Sequence, residues 1–281
     1  MLLKESCNES FKESCNLSFL SSSLSSPSLS FLSLSGKNAI VTGARRGIGL
    51  QIVHALAENG ANIWACARKR DEAKDEAFEA EMAKLAKGNN VQIKPIYFEM
   101  TDSGQIKNAV NEIRKSKLSI DILVNNAGMS YDALLPMLSM KKTRDLFEVN
   151  FFSHVYLTQL ISRIMMKQGH GCIINISSYL AEDGNRGQSM YSASKAAMSA
   201  FTRSLAKELS EYGLRINAVA PGVVDTELLS SMTEEDYKKA MERCFMHRPA
   251  NPKEIGNIVA MLASDMSSYI NGQIIRVDGC M

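Results

Sequence analysis

The chain has no uninterrupted apolar stretch of the roughly 18 residues that a bilayer-crossing helix needs, which excludes a membrane span. It has no excess of charge of either sign: 32 Lys and Arg stand against 30 Asp and Glu, for a formal net charge of +2. So even a balance leaves no electrostatic footprint for nucleic acid or an anionic membrane. Paired cysteines are missing as well. The six, at positions 7, 15, 66, 172, 244 and 280, are scattered and form no CxxC. A chain of 281 residues can bury a core without cross-links. Reduced thiols in a reducing, cytoplasmic compartment are therefore expected, and no structural zinc site. What remains is ordinary: 45% hydrophobic and 22% charged residues, which excludes a wholly disordered chain.

The chain divides near Gly36. Thirteen of the first 35 residues are Ser, and Lys-Glu-Ser-Cys-Asn occurs twice, eight residues apart. No period there would bury a face, so residues 1–35 read as a low-complexity extension, or as a start placed too far upstream. Ser interrupts each apolar run, unlike a signal peptide, and Glu5, Glu9 and Glu13 do not suit a transit peptide.

From residue 36 to 281 short apolar runs alternate with helical periods. Strands are expected at Asn38–Thr42, Asn62–Ala67, 92–98, 120–125, 172–177, 215–220 and 273–277. Helices are expected at 51–58, 71–87, 104–116, 143–167 and 191–212. Strands separated by helices build right-handed βαβ units, so one doubly wound α/β domain with a parallel sheet is expected.

The first strand runs into Gly43-Ala44-Arg45-Arg46-Gly47-Ile48-Gly49, with a helix starting inside the turn. Glycines let backbone N–H groups approach a pyrophosphate, and the helix start adds partial positive charge. The spacing is G-x3-G-x-G rather than G-x-G-x-x-G. An NAD site presents a carboxylate after the second strand; here that strand ends in Arg68, and the first acid is Asp71. Arg46 and Arg68 lie where a 2′-phosphate would be gripped, so NADPH is the expected cofactor.

Tyr191 and Lys195 form a YxxxK, which places the ammonium one helical turn from the phenol. A neighbouring positive charge favours the phenolate and suits tyrosine to proton transfer near neutrality. Chance alone supplies roughly 0.5 such matches in a chain with eight Tyr and this much Lys, so context must give it weight. Ser178 closes the fifth strand, and Asn125-Asn126-Ala127-Gly128 the fourth, at the sheet edge where ligands bind. Ser178 can donate to a carbonyl oxygen there. Asn150 falls inside a predicted helix, where Asn ordinarily points to solvent.

TGARRGIG (42–49), NNAG (125–128), Asn150, NISS (175–178), YSASK (191–195) and PGVVDT (221–226) occur in this order across the domain. With them the chain resembles the classical short-chain dehydrogenases/reductases, and among these it is most similar to 3-oxoacyl-[acyl-carrier-protein] reductases. The resemblance implies a Rossmann-type domain with a seven-stranded parallel sheet, and a homotetramer. It implies Tyr191 as acid/base, Lys195 as the group that lowers its pKa and binds the nicotinamide ribose, Ser178 as carbonyl polariser, and Asn150 as holder of a relay water. It implies cofactor contacts from Gly43, Ala44, Arg45, Arg46, Gly47, Ile48, Gly49 and Arg68 on the phosphate side. Glu99 and Met100 would lie by the adenine, Asn126 by the ribose and Val224 at the carboxamide, with Ala127, Gly128, Pro221, Gly222 and Thr226 as further cofactor contacts. Glu99 departs from the Asp or Asn usual in the family.

The expected reaction is hydride transfer from NADPH to a ketone, with a 3-oxoacyl thioester as substrate. A sugar, polyol or other small ketone is the alternative, and a dinucleotide-binding protein without turnover a third. The segment 225–252, with Met232, Met241 and Met246, reads as an adaptable substrate lid or as an ordinary core-facing helix. In the bacterial 3-oxoacyl reductases two arginines dock the acidic carrier protein; this chain has Gly169 and Tyr212 at the matching positions, with Arg163, Lys167 and Lys207 nearby. An acyl carrier protein is thus a candidate partner, with little advantage expected for carrier-linked substrates.

Overall fold

Alternation decides which way each strand faces, because successive side chains of a strand point to opposite sides. In β1 (Asn38–Thr42), Ala39 and Val41 enter one core and Ile40 the other. In β4 (Ile122–Asn125), Ile122 and Val124 split from Leu123 in the same way. Strands apolar on both faces need cover on both faces, and helices supply it. On one side lie Ile52 and Leu56 of α1 (Gly47–Glu58), Phe78 and Met82 of α2 (Glu72–Asn89), and Val259 and Leu262 of a helix near the C-terminus, Pro252–Ala263. On the other lie α3 (Ser103–Lys115), a helix at Ser153–Gln168 and another at Ser189–Leu209.

The computed structural model describes residues 32–227, 229 and 233–281. Residues 1–31 and Met232 lie outside the described residues. With β2 (Asn62–Ala67), β3 (Ile93–Tyr97), β5 (Gly171–Ile176), β6 (Leu214–Pro221) and β7 (Ile274–Val277), the sheet has seven strands in the order β3-β2-β1-β4-β5-β6-β7. Every pairing is parallel. The order reverses between β1 and β4, which opens a crevice at their carboxyl ends.

Local signals set the helix ends. Asp71 caps α2 by accepting from Lys74 N at 3.1 Å, and Asp102 caps α3 by accepting from Gln105 N at 3.0 Å. Asn251 and Glu254 form a capping box on the helix that begins with Pro252.

Three expectations are corrected. The single helix over 143–167 is three pieces: α4 (Met140–Phe147), a π-turn at Glu148–Phe152, and α5 (Ser153–Gln168). Two helices were not foreseen, the short α6 (Leu180–Asp183) before the long α7 (Ser189–Leu209), and α9 (Pro252–Ala263) near the C-terminus; α8 (Glu234–Arg243) lies within the segment 225–252, for which a helix was one of the two readings. The folded domain also begins before residue 36. Leu34 is 1% exposed in the core, and its N–H donates to Asn59 O at 2.7 Å.

No described helix is long and apolar enough to cross a membrane. The four described cysteines are free, and Cys66, Cys172 and Cys244 are buried.

Candidate active site

The crevice is floored by a hydrogen-bonded junction between the ends of β1 and β4. Thr42 Oγ1 donates to Val124 O at 3.2 Å and accepts the N–H groups of Asn126 and Ala127 at 2.9 and 3.1 Å. Asn126 Nδ2 returns donors to Thr42 O and Gly43 O, at 2.9 and 3.3 Å. Gly43 has φ +67, and a Cβ there would sit 2.9 Å from Asn126 Nδ2. A Cβ on Gly49 would meet Gly43 O at 2.0 Å. Ala44 is buried and donates to Cys66 O at 3.0 Å, and Ile48 packs on the core. The turn thus presents backbone rather than side chains, and Arg46 offers no side-chain cap to the first turn of α1. A bare cradle at a helix start suits a dinucleotide's phosphates.

Thr226, from the segment after β6, lies against this turn: its methyl would be 3.4 Å from a Cβ on Gly47. Pro221 O accepts from Tyr179 N at 3.0 Å, Gly222 packs on Asp278, and Val224 bridges to Ala250. Sequence positions far apart therefore bound one crevice.

The basic residues divide by role. Arg46 is exposed and ion-paired to Glu227. Arg68 lies 3.6 Å from Glu99 at the ends of β2 and β3, beside the buried Met100. Arg45 turns toward α2, where its guanidinium pairs with Asp75 and donates to the carbonyls of Lys74 and Arg68. The resemblance had put Arg45 with the phosphate contacts; its charged end is spent on the protein.

Tyr191, Lys195, Ser178 and Asn150 come together on the far side of the crevice. Ser177 Oγ is held by Lys195 O and Ser199 Oγ at 3.0 and 2.7 Å, so of the serine pair it is Ser178 that reaches the Tyr191 phenol. Leu180 N donates to Ser178 Oγ at 3.2 Å and orients it. Lys195 Nζ donates to Ile176 O at 2.8 Å and lies 5.9 Å from the centre of the Tyr191 ring. Gly128 separates Lys195 from Asn150: a Cβ there would be 3.6 Å from Nζ and 3.4 Å from Asn150 Oδ1.

Asn150 does not face solvent. It is fully buried in the π-turn, where widened spacing frees it from the helical ladder. Its Oδ1 accepts from Met129 N at 2.8 Å, and its Nδ2 donates to Met129 O at 2.9 Å and Ser194 Oγ at 3.1 Å.

Burial dominates the electrostatics. It pushes the Tyr191 phenol up, and the hydrogen bond with Ser178 opposes that rise. It brings Lys195 down to about 8. His154 is held down at about 4, chiefly by burial, with the Lys195 charge adding to it. Its Nε2 faces Ala127 O at 2.7 Å, which fixes the strand-end segment carrying Asn126 and Gly128.

Three side chains that support the site were not singled out from the sequence: Thr42, Asp75 and His154. Thr42 stands within TGARRGIG, and His154 follows Asn150 by four residues, which puts both on one helical face. Asp75 carries no such signal. No group of metal-ligating side chains is found among the described residues.

A family model described as enoyl-(acyl carrier protein) reductase matches residues 43–281. Among curated relatives, a 3-oxoacyl-[acyl-carrier-protein] reductase of Thermotoga maritima is 36% identical over 248 residues, 88% of this chain and 98% of that protein. The enzyme of that name from Escherichia coli is 35% identical over 250 residues, 89% and 99% respectively. Among solved structures, a 7α-hydroxysteroid dehydrogenase complexed with NADH and 7-oxo glycochenodeoxycholic acid is similar with TM-score 0.80 and 33% identity, covering 88% of this chain and 95% of the other. A structure described as an NAD(P)-dependent gluconate 5-dehydrogenase from Beutenbergia cavernae, with bound NADP, gives TM-score 0.80 and 32% identity, with 88% and 97% coverage.

Proposed function

Because the chain belongs to the short-chain dehydrogenase/reductase family, oxidoreductases acting on CH–OH groups, we propose that it reduces a 3-oxoacyl thioester to the 3-hydroxyacyl thioester with NADPH. The observation that carries this reading is the convergence of Ser178, Tyr191 and Lys195 at one end of a glycine-lined crevice. NADPH supplies the hydride. The cradle of Gly43, Gly47 and Gly49 holds its phosphates, and Arg46 and Arg68 take the 2′-phosphate. Ser178 Oγ–H donates to the substrate carbonyl oxygen. Tyr191 gives its phenolic proton to the same oxygen as negative charge develops there. Lys195, lowered by burial to about 8 and so still mostly protonated at neutral pH, lies 5.9 Å from the Tyr191 ring centre and favours the phenolate that is left. Asn150 fixes Met129 and Ser194 around that helix and takes part in returning the proton from solvent.

Carbonyl substrates other than acyl thioesters form the second reading, favoured by the gluconate and steroid dehydrogenases of similar structure. Gly169 and Tyr212, where the carrier-docking arginines are expected, favour it too: Gly169 is a left-handed helix cap with φ +75, and neither residue is basic. A homotetramer in a reducing, cytoplasmic compartment is consistent with the buried free thiols and with Phe152, exposed on the helical side of the domain.

Steady-state kinetics with NADPH and NADH against carrier-linked and CoA-linked 3-oxoacyl thioesters, gluconate-type sugars and small ketones tests the proposal. Turnover of the 3-oxoacyl thioesters with NADPH is expected, with near parity between carrier and CoA. A carrier preference of about 100-fold, some 2.7 kcal/mol of transition-state binding, would overturn the parity and identify a carrier-protein enzyme. Activity confined to sugars or small ketones would overturn the thioester reading.

A further inference from the structure

Arg45 and Asp75 form a strut beneath the loop where the second strand ends. The Asp75 carboxylate lies in the first turn of α2 and is 7% exposed. Its two oxygens accept the Arg70 N–H at 3.1 and 3.2 Å, and it is ion-paired with Arg45. Arg45 Nη1 donates to Lys74 O at 2.6 Å and Nη2 to Arg68 O at 3.0 Å. The guanidinium also lies 4.9 Å from the ring centre of Phe78 and 5.9 Å from that of Tyr97. One side chain from the glycine turn thereby fastens the backbone of Arg68 and, through Asp75, that of Arg70. A buried ion pair is a weak stabiliser, but it fixes geometry well, and the guanidinium fork is suited to holding several acceptors at once.

We propose that Arg45 and Asp75 are positioning residues for 2′-phosphate recognition: they set the backbone from which Arg68 extends and so determine the preference for NADPH. This rests on the cofactor assignment above. A loop held only by solvent would let the Arg68 side chain, which is exposed, sample positions away from the phosphate and lose ordering entropy on binding. Arg45 Nε is buried without a hydrogen-bond partner, so direct contact with the phosphate is the competing role for this residue.

Calorimetric titration of the full chain with 2′,5′-ADP and with 5′-AMP separates these roles, because the two ligands differ in the 2′-phosphate. Asp75→Asn removes a negative charge near the phosphate. On electrostatics alone, and if Arg45 is a direct ligand released by the change, 2′,5′-ADP should bind more tightly. The strut requires the opposite sign: weakening by about tenfold or more for 2′,5′-ADP, within about threefold for 5′-AMP. KM for NADPH should rise while kcat at saturation holds. Arg45→Met keeps an apolar stem between the two rings and should cause the same loss, and the double variant no more than either single one. Unchanged or tighter binding by Asp75→Asn, or additive losses in the double variant, overturns the strut. Should Asp75→Asn fail to fold, Asp75→Ser makes the same test, because a direct-ligand Arg45 requires tighter 2′,5′-ADP binding there and the strut weaker binding. If the unaltered chain binds 2′,5′-ADP no better than 5′-AMP, the NADPH assignment itself falls, and the strut with it.

Discussion

Replacing Lys195 by methionine should make the ligand-free protein more stable while destroying its activity. Burial alone lowers the Lys195 pKa from its ordinary 10.5 to about 8. At pH 7 the ammonium is charged in both folded and unfolded chains, and the folded chain bears the cost: two and a half pKa units at 1.36 kcal/mol each, about 3 kcal/mol. Between pH 8 and 10.5 the native lysine loses its proton while the unfolded one keeps it. Stability therefore rises with pH across that window, and by pH 9.5 the remaining cost is only about 1 kcal/mol. Lys195→Met removes the cost at every pH and forfeits the hydrogen bond to Ile176 O, worth about 1 kcal/mol. The net gain at pH 7 is about 2 kcal/mol, or roughly 4–8 °C in Tm for a domain of this size. Thermal melts of both proteins at pH 7 and 9.5 measure it: the variant should lead clearly at pH 7 and by little at pH 9.5. A variant that melts at or below the unaltered protein at pH 7, or a gap independent of pH, would refute the assignment of that cost to Lys195.

Tyr191→Phe keeps the ring and removes the proton, so kcat should fall by about two or more orders of magnitude while dinucleotide affinity, read by calorimetry, is retained. His154 is neutral when folded, with its pKa at about 4 against an ordinary 6.5. Stability present above pH 6.5 should be lost as pH falls toward 4, by about 3 kcal/mol, and His154→Gln should flatten that stretch of the pH–stability curve. Leu34→Ala should cost about 2–4 kcal/mol in denaturant unfolding, because the side chain is buried against the end of α1; a neutral result would return the domain boundary to residue 36.

The sequence carried the architecture because the physics there is local. Apolar runs of four to eight residues between helical periods define the strands, and parallel order follows from the crossovers. Ends and interruptions were less legible. Asn150 reads as a helix-surface residue until the π-turn is seen, since a single-turn widening leaves no mark in an i, i+4 pattern. Leu34 was hidden by its neighbours: one core residue within a serine-rich stretch has no period. Tyr191, Lys195 and Ser178 were singled out through the family motifs they sit in, because the YxxxK spacing alone has roughly 0.5 chance matches in a chain of this composition. Arg45 was not, because its direction depends on Asp75, Phe78 and Tyr97, contributed by two other elements. Motif position says where a backbone sits, and tertiary partners decide where a long side chain goes.

With the 2′-phosphate site proposed above, the pair between Arg46 and Glu227 would make cofactor arrival an exchange rather than an addition. A carboxylate from the segment after β6 already occupies the guanidinium that the 2′-phosphate would use. Both side chains are exposed, so displacing the carboxylate costs about 1 kcal/mol at most. The trade has a signature in ionic strength. Added salt weakens the outgoing pair together with the incoming one, so NADPH affinity should fall less steeply with salt than the count of nearby arginines suggests. In a Glu227→Gln variant nothing is displaced, and the full steepness should return. On that proposal Glu227 is a built-in placeholder anion, against which the cofactor's charge would be read.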